Sequence, residues 1–188
     1  MKLTDKNKDL IKNRRYILLS GILDEIKLDS IISKMFELES EQPNKPIILL
    51  IDSYGGQVDA MWSIINTMNM IRCDVATLCL GKAMSASCIL LLAGTTGKRF
   101  CAPTCRMMIH QMSDMNCGTI SDMDNRMIES KRFWEETLKF IASRTKLNVT
   151  EIRKKIEKDF YFGSKEALKM GIVDEIVLNF KDLKISNW

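Results

Sequence analysis

Five consecutive aliphatic residues, Ile47-Ile48-Leu49-Leu50-Ile51, leave no polar face on the segment that contains them. A strand written this way is buried on both faces, which is the condition of a parallel sheet. The residues before it follow another rhythm. Ile26, Leu28, Ile31, Ile32, Met35 and Phe36 recur close to a helical repeat, so residues 24–40 read as an amphipathic helix that Pro43 and Pro46 end. A short apolar run at 16–19, closed by Ser20-Gly21, reads as an earlier strand. After the five-residue run, Val58, Met61, Trp62, Ile65 and Met68 mark a second amphipathic helix. Residues 75–80 form another buried strand, ended by Gly81, and 85–93 a short helix of small and apolar residues. Short strands follow at 99–101 and 106–109. Strand alternating with helix specifies an α/β fold: a mostly parallel sheet with crossover helices.

The rest of the chain departs from that alternation. Thr119 or Ser121 caps a long helix with Met123, Met127, Trp134, Leu138 and Ile141 along one face, and residues 119–146 read as a projecting arm. Asn148 or Thr150 caps a further helix, and Ser164 caps a last turn that Gly171 closes. Residues 1–15 are a basic leader in which Thr4 caps a short helix. The length, 188 residues, suits one domain, and 46% hydrophobic residues supply a sizeable core.

Several function classes are excluded. A net charge of +4 without a basic cluster does not suit a dedicated nucleic-acid binder. The longest apolar stretch, 86–93, is too short to span a bilayer, and the N-terminus has no apolar signal core, so a cytoplasmic protein is expected. The six cysteines (Cys73, Cys79, Cys88, Cys101, Cys105 and Cys117) include no CxxC pair and are joined by a single histidine, which leaves poor material for zinc and favours buried, reduced thiols. No Walker-type loop or dinucleotide glycine fingerprint occurs, and Asp122 and Asp124 do not share a helix face, so neither a cofactor nor a metal is expected.

In open α/β sheets, sites form beyond the carboxyl ends of the strands. Two such ends carry unusual residues. Asp52-Ser53-Tyr54-Gly55-Gly56 follows the 47–51 strand, and its glycines let backbone N–H groups approach an anion; on its own, the pair favours a simple tight strand-to-helix turn. Ser85, in Gly81-Lys82-Ala83-Met84-Ser85-Ala86, stands among small residues at a helix N-terminus, which suits a nucleophile but, without a partner base, reads as an N-cap. His110, at the end of the 106–109 strand, is the candidate for the base that a nucleophilic serine requires; a lone histidine is more often structural, but a strand end is where a base would be displayed. Spacing alone does not choose the acid that would orient it. Asp159, beside the apolar Phe160-Tyr161-Phe162, is a candidate for a buried acid, while Glu157 and Lys158 equally allow a solvated helix end.

At these residues the chain resembles the proteolytic subunit of the Clp protease (the ClpP family). The matching segments are Ile51-Asp52-Ser53-Tyr54-Gly55-Gly56, Gly81-Lys82-Ala83-Met84-Ser85, Gly94-Thr95-Thr96-Gly97-Lys98-Arg99, Arg106-Met107-Met108-Ile109-His110-Gln111, and Ser164-Lys165-Glu166-Ala167 with Gly171-Ile172-Val173-Asp174. Their order and spacing agree with the family from about Arg14 to Val177. The resemblance implies a single peptidase domain of the crotonase-like (ClpP) fold over residues 1–188, with a leader at 1–14 and a strand-helix handle at 112–146. It implies a serine endopeptidase with Ser85 as nucleophile, His110 as base and Asp159 as orienting acid, and an oxyanion hole from the backbone N–H groups of Gly56 and Ala86. It further implies two stacked seven-membered rings enclosing the sites, with the handle at the ring–ring contact. Residues 112–118 would form a strand that pairs with polypeptide substrate. An AAA+ ATPase unfoldase would dock at Phe36, Ile48, Leu50, Met70, Leu78, Phe100 and Val177.

The chain departs from the family pattern at several points. Tyr54 stands where proline is usual, Ala86-Ser87 where methionine and glycine are usual, Met112 for proline, and Lys158 for an arginine. The leader is shorter, and the docking residues include fewer aromatics. These departures leave open a catalytically weak structural or regulatory ring subunit. A capsid-maturation peptidase of the same family and an acyl-CoA enzyme of the same architecture are further alternatives.

Overall fold

The computed structural model describes residues 15–113 and 118–183. Strands β1 (Tyr16–Leu23), β2 (Ile47–Gly56) and β3 (Val75–Met84) alternate with helices α1 (Glu25–Glu41), α2 (Val58–Met70) and α3 (Ala86–Ala93). Then come β4 (Arg99–Cys101), β5 (Arg106–Ile109), α4 (Ile120–Arg144), α5 (Val149–Lys155), β6 (Phe160–Gly163), α6 (Ser164–Met170) and β7 (Glu175–Ile176). A 3₁₀ turn, Phe180–Leu183, closes the described chain. The α/β class expected from the alternation is the one observed. The sheet runs β1-β2-β3-β4-β7, all parallel, and β5 joins β3 and β6 beside this path. Only the β5–β6 pair is antiparallel among the described residues.

The two faces of β2 show why its sequence lacks polar residues. Ile47, Leu49 and Ile51 face the main core, with Met35 of α1, Ile64 of α2 and Leu90 of α3. Ile48 faces the other way, into a smaller cluster with Ala76, Leu78, Phe100, Val177 and Leu183. That second face is covered incompletely. The 3₁₀ turn lays Leu183 over it and stacks Phe180 near Tyr16 (ring centroids 5.9 Å apart), but Leu50 stays half-buried and Leu18 is 56% exposed. Burial of both faces is therefore realised only where the C-terminal segment crosses the sheet.

Helix α3 is buried at all of its residues, as an apolar helix without a polar side must be. Helix α4 behaves in the opposite way. Its last third packs Leu138 and Ile141 into the core, while Ile120, Met127 and Ile128 near its start are exposed. Trp62 of α2 meets Phe133 and Phe140 of α4 at 6.0 and 5.1 Å between centroids, which fixes where the helix leaves the body.

Several expected boundaries shift for identifiable reasons. Gly81 does not end β3: the strand continues to Met84 because Lys82, Ala83 and Met84 find new partners in β5. Ser164 is the first helical residue of α6, not its cap; the cap is Gly163, and the Ser164 hydroxyl donates to the Ala102 carbonyl at 2.7 Å. Thr119 caps α4, Asn148 caps α5 with a reciprocal Glu151 contact, and Gly171 closes α6 at φ +74°. The expected strand at 112–118 has no strand at Met112 or Ser113, and residues 114–117 lie outside the described residues, as do the leader and Thr4. Cys73, Cys79, Cys88, Cys101 and Cys105 are free and buried, and burial pushes the Cys88 thiol up to about 12; Cys117 lies outside the described residues. Among the described residues no helix is long and apolar enough to cross a membrane.

A buried ion pair ties the far end of the sheet together. Arg99 of β4 donates to both carboxylate oxygens of Asp174, at 2.9 and 2.5 Å, and its backbone N–H adds a third bond at 3.0 Å. Arg99 also reaches the Arg144 carbonyl at the end of α4, while the Arg144 guanidinium donates to the carbonyls of Leu92, Ala93 and Gly94 at the end of α3. Desolvation raises the Asp174 pKa, but the hydrogen bonds and charge of Arg99 outweigh it and hold the carboxyl below its ordinary value. A depressed carboxyl stabilises the fold above its unfolded pKa, and that contribution is lost as pH falls through the folded value. Asp174→Ala is expected to cost about 3 kcal/mol by leaving Arg99 buried and unpaired. It should also flatten the loss of urea midpoint below about pH 4 that the parent shows. Equilibrium urea unfolding of both proteins at neutral and acid pH checks both statements.

Candidate active site

Three neighbouring strands deliver the three candidate catalytic side chains. Met84 of β3 pairs with Met108 of β5, and the backbone N–H of Ser85 continues the ladder to the Met108 carbonyl at 2.8 Å. On its other side, β5 pairs antiparallel with β6 in the register Ile109 to Phe160. One step beyond that pair, His110 and Asp159 are opposite each other. Ser85, His110 and Asp159 thus form a row across adjacent strand ends, although 25 and 49 residues separate them along the chain.

The Ser85–His110 contact is made: Oγ and Nε2 are 2.8 Å apart. The contact to the acid is longer. His110 Nδ1 and Asp159 Oδ1 are 3.9 Å apart, beyond hydrogen-bond length, and the Asp159 side chain is 56% exposed. Of the two readings left open for Asp159, the solvated one is the one observed. The apolar rings that follow it pack against each other (Phe160 and Phe162 centroids 5.1 Å apart) and leave the carboxylate at the rim.

Ser85 has φ +54° and ψ −127°, and it is the one non-glycine residue with positive φ among the described residues. Such a conformation costs roughly 1–3 kcal/mol and occurs where function holds a residue in place. It turns Oγ out of the helix: Ser85 is the residue before α3, yet its side chain makes no capping bond. Ser85 thus holds the N-cap position of α3, as the N-cap alternative had it, but its hydroxyl caps nothing and faces His110 instead.

The Gly55-Gly56 turn comes close to Ser85. Gly55 has φ +90°, and a Cβ there would lie 2.5 Å from the Met84 carbonyl and 2.9 Å from the Ser85 Cβ. Gly56 has φ +153°, and a Cβ there would land on the Leu23 carbonyl. Neither position has room for a side chain. The amides flanking Gly56 are committed, Gly55 N–H to Ser53 Oγ at 3.1 Å and Gln57 N–H to the Leu23 carbonyl at 2.9 Å. Ala86 N begins the buried helix next to Ser85, 3.0 Å from the position a Gly55 Cβ would take. Gly56 and Ala86, the two expected oxyanion donors, both line the cavity at Ser85, with Ala86 at the positive end of the α3 dipole.

Tyr54 does not leave this turn loose. The Lys82 ammonium lies 4.5 Å from the centre of its ring and 3.2 Å from Asp52 Oδ1, which bridges β2 to β3 just before the glycines. A cavity of about 70 Å³ opens beside Ser85, lined on its apolar side by Val58, Met61, Ile89, Ile109 and Trp134.

The expected docking residues divide. Ile48, Leu78, Phe100 and Val177 share one cluster, with Leu50 packed against it. Phe36 and Met70 are exposed and stand outside that cluster. Two of the matching sequence segments prove structural: Gly94–Arg99 and Gly171–Asp174 hold the two halves of the Arg99–Asp174 pair. Ser87 was read only as a departure from the family, but it is wholly buried and bonded to Ser53. Its sequence neighbourhood carries no signal of this.

Comparison with known proteins agrees with the geometry. The family model for Clp protease matches residues 2–180. The chain is 38% identical over 181 residues to the ATP-dependent Clp protease proteolytic subunit 1 of Bifidobacterium longum, covering 94% of this chain and 76% of that one. It is 35% identical over 170 residues to the protein of the same name from Rhodopirellula baltica (90% and 75%), and 35% identical over 183 residues to subunit 3 from Frankia casuarinae (96% and 84%). With nearly its whole length matched by the family model and by relatives that are proteolytic subunits, the chain belongs to the Clp protease family.

Proposed function

We propose that this peptidase is a serine endopeptidase. The observation that carries the reading is the 2.8 Å contact between His110 Nε2 and the oxygen of a strained serine at a helix N-terminus. His110 accepts the Ser85 proton at Nε2 as Oγ attacks the scissile carbonyl carbon. The carbonyl oxygen becomes an oxyanion, held by the backbone N–H groups of Gly56 and Ala86 and favoured by the α3 N-terminus. His110 then returns the proton to the departing amine, and the acyl group remains on Ser85. Water, deprotonated by His110, releases the acid and restores the serine. Asp159 keeps Nδ1–H on the far side of the ring and stabilises the imidazolium. Closing its 3.9 Å gap by about 1 Å makes that bond, a tightening common when substrate binds.

The same reading extends to assembly. The substrates are unfolded polypeptides cleaved inside two stacked heptamers, with residues 112–146 as the handle. The exposed Ile120, Met127 and Ile128 on the outer half of α4 supply an apolar surface for that contact. The relatives' names are those of ATP-dependent proteases, which supports an ATPase unfoldase as partner. The proposed dock comprises the exposed Phe36 and Met70, the half-buried Leu50 and the buried cluster of Ile48, Leu78, Phe100 and Val177. Free, buried thiols suit the reducing cytoplasm. One observation favours a second reading: the long, exposed His110–Asp159 contact suits a subunit of low intrinsic activity whose site tightens only on assembly.

Ser85→Ala and His110→Ala should each lower kcat/KM for a fluorogenic peptide by about 10⁴-fold or more, and Ser85→Ala should abolish mass labelling by a serine-reactive phosphonate. Asp159→Asn should cost less, about 100-fold, because its carboxylate is solvated and not yet bonded. Equal losses in all three variants would contradict this ranking, and unchanged hydrolysis by Ser85→Ala would end the serine mechanism. Native mass near 300 kDa, fourteen copies of the 21.6 kDa chain, checks the double ring, and a turnover rate that rises with the assembled fraction separates the second reading.

The apolar cavity beside Ser85 predicts the residue preceding the cut. Burying a medium apolar side chain there is worth about 2 kcal/mol, or roughly 30-fold in kcat/KM over a charged side chain. Peptides differing only at that residue measure it.

A further inference from the structure

A chain of hydroxyls runs beneath the catalytic serine, linking the strand that ends in Gly55-Gly56 to the helix that starts at Ala86. Ser53 and Ser87 are both wholly buried. Ser87 Oγ donates to Ser53 Oγ at 2.7 Å, Ser53 Oγ donates to the Gly21 carbonyl at 2.7 Å, and Ser53 Oγ accepts the Gly55 N–H at 3.1 Å. A serine hydroxyl has one proton and two lone pairs. The Gly21 carbonyl has no proton to give, so Ser53 donates its own there. Both of its lone pairs are then filled, one by Gly55 N–H and the other by Ser87. The network has one direction, from Ser87 through Ser53 to β1, with no member left over.

We propose that Ser87 and Ser53 form a hydroxyl latch that sets the spacing between the Gly56 and Ala86 amides, so that both serines are positioning residues for the oxyanion hole. The proposal rests on the serine-peptidase reading. Its argument is mechanical. Gly55 and Gly56 have φ of +90° and +153°, a turn with little torsional stiffness of its own. Ser53 holds that turn at the Gly55 amide, one residue from the proposed donor Gly56. Ser87 is one residue from the other donor, Ala86, and belongs to a helix buried at every position. The 2.7 Å Ser87–Ser53 bond is the polar tie between these two backbones. A change of a few tenths of an ångström in that spacing acts on the oxyanion more than on the bound substrate, so its signature is in kcat.

The experiment is a double-mutant cycle with Ser87→Ala, Ser53→Ala and both, on assembled protein, with two readouts. In peptide hydrolysis Ser87→Ala is expected to lower kcat about 10-fold with KM within twofold, and Ser53→Ala about 100-fold. The double variant should be no worse than Ser53→Ala alone, because the latch is one unit. In hydrogen–deuterium exchange, which needs no turnover, Ser87→Ala should speed exchange in residues 53–57 about 10-fold and leave the buried end of α4 unchanged. Full kcat in Ser87→Ala, losses that multiply in the double variant, or unchanged exchange at 53–57 would each overturn the latch. If the parent protein hydrolyses no peptide, the serine-peptidase reading fails by itself, and the exchange readout still decides whether Ser87 holds the turn.

Discussion

The site depends on β3 changing partners midway. Its first half, Thr77 to Cys79, pairs with β4, and its second half, Lys82 to Met84, pairs with β5. Between them Leu80 and Gly81 let the strand turn from one ladder to the next, and a Cβ at Gly81 would press on Asp52 Oδ1 at 2.9 Å. If β3 ended at Gly81, the β5–β6 pair would have no strand to join it to the rest of the sheet. Neighbouring strands lie about 4.8 Å apart, so three strand ends in one row bring three side chains within reach of one another without any special loop. The alignment of Ser85, His110 and Asp159 is a consequence of sheet register.

That alignment is held against local cost. Ser85 occupies a backbone region that favours glycine, and the strain is carried by its surroundings. Its N–H is fixed by the Met108 carbonyl, its helix is locked on all sides by core contacts, and two residues without side chains leave the space it turns into. The Arg144 guanidinium, bonded to the carbonyls at the far end of α3, anchors the same helix from behind. Through Arg99 and Asp174 the anchor extends to β4 and β7. Conformational cost at Ser85 and polar satisfaction at the opposite helix end belong to one eight-residue element.

Much of the fold was legible because its elements repeat simple patterns. The wholly apolar 47–51 run is a strand between two layers, and the helical spacing from Ile26 to Phe36 is α1. Ser85 and His110 were legible for a different reason. Each terminates a strand, and with a single histidine in the chain there was one imidazole to choose. Asp159 was less legible. Its partner is set by the antiparallel β5–β6 register, which sequence spacing does not encode, and its neighbours, aromatic on one side and charged on the other, left burial and exposure equally open. The role of Gly81 was misread because a glycine that ends a strand and one that admits a close neighbour look alike in sequence. Ser87 gave no signal at all: its partner Ser53 lies 34 residues away, and only the packing of α3 on β2 joins them.

The exposed surfaces of the single chain follow from the same geometry. The row of strand ends puts the reactive groups at one edge of the sheet, and the acid at its outer rim is open to solvent. Solvent near the carboxylate weakens its field on the imidazole, since an interaction of opposite charges falls as the local dielectric rises. Covering that rim would strengthen the Asp159–His110 interaction without moving any strand. Apolar side chains are exposed on β1 (Leu18) and on the first half of α4 (Ile120, Ile128), so the single chain leaves burial energy unused on the sheet face and on the projecting helix. Association in the proposed double ring would bury such apolar surface. Any cover that association lays over the rim at Asp159 acts on the His110–Asp159 contact through the local dielectric, and this is the contact that the single chain leaves long.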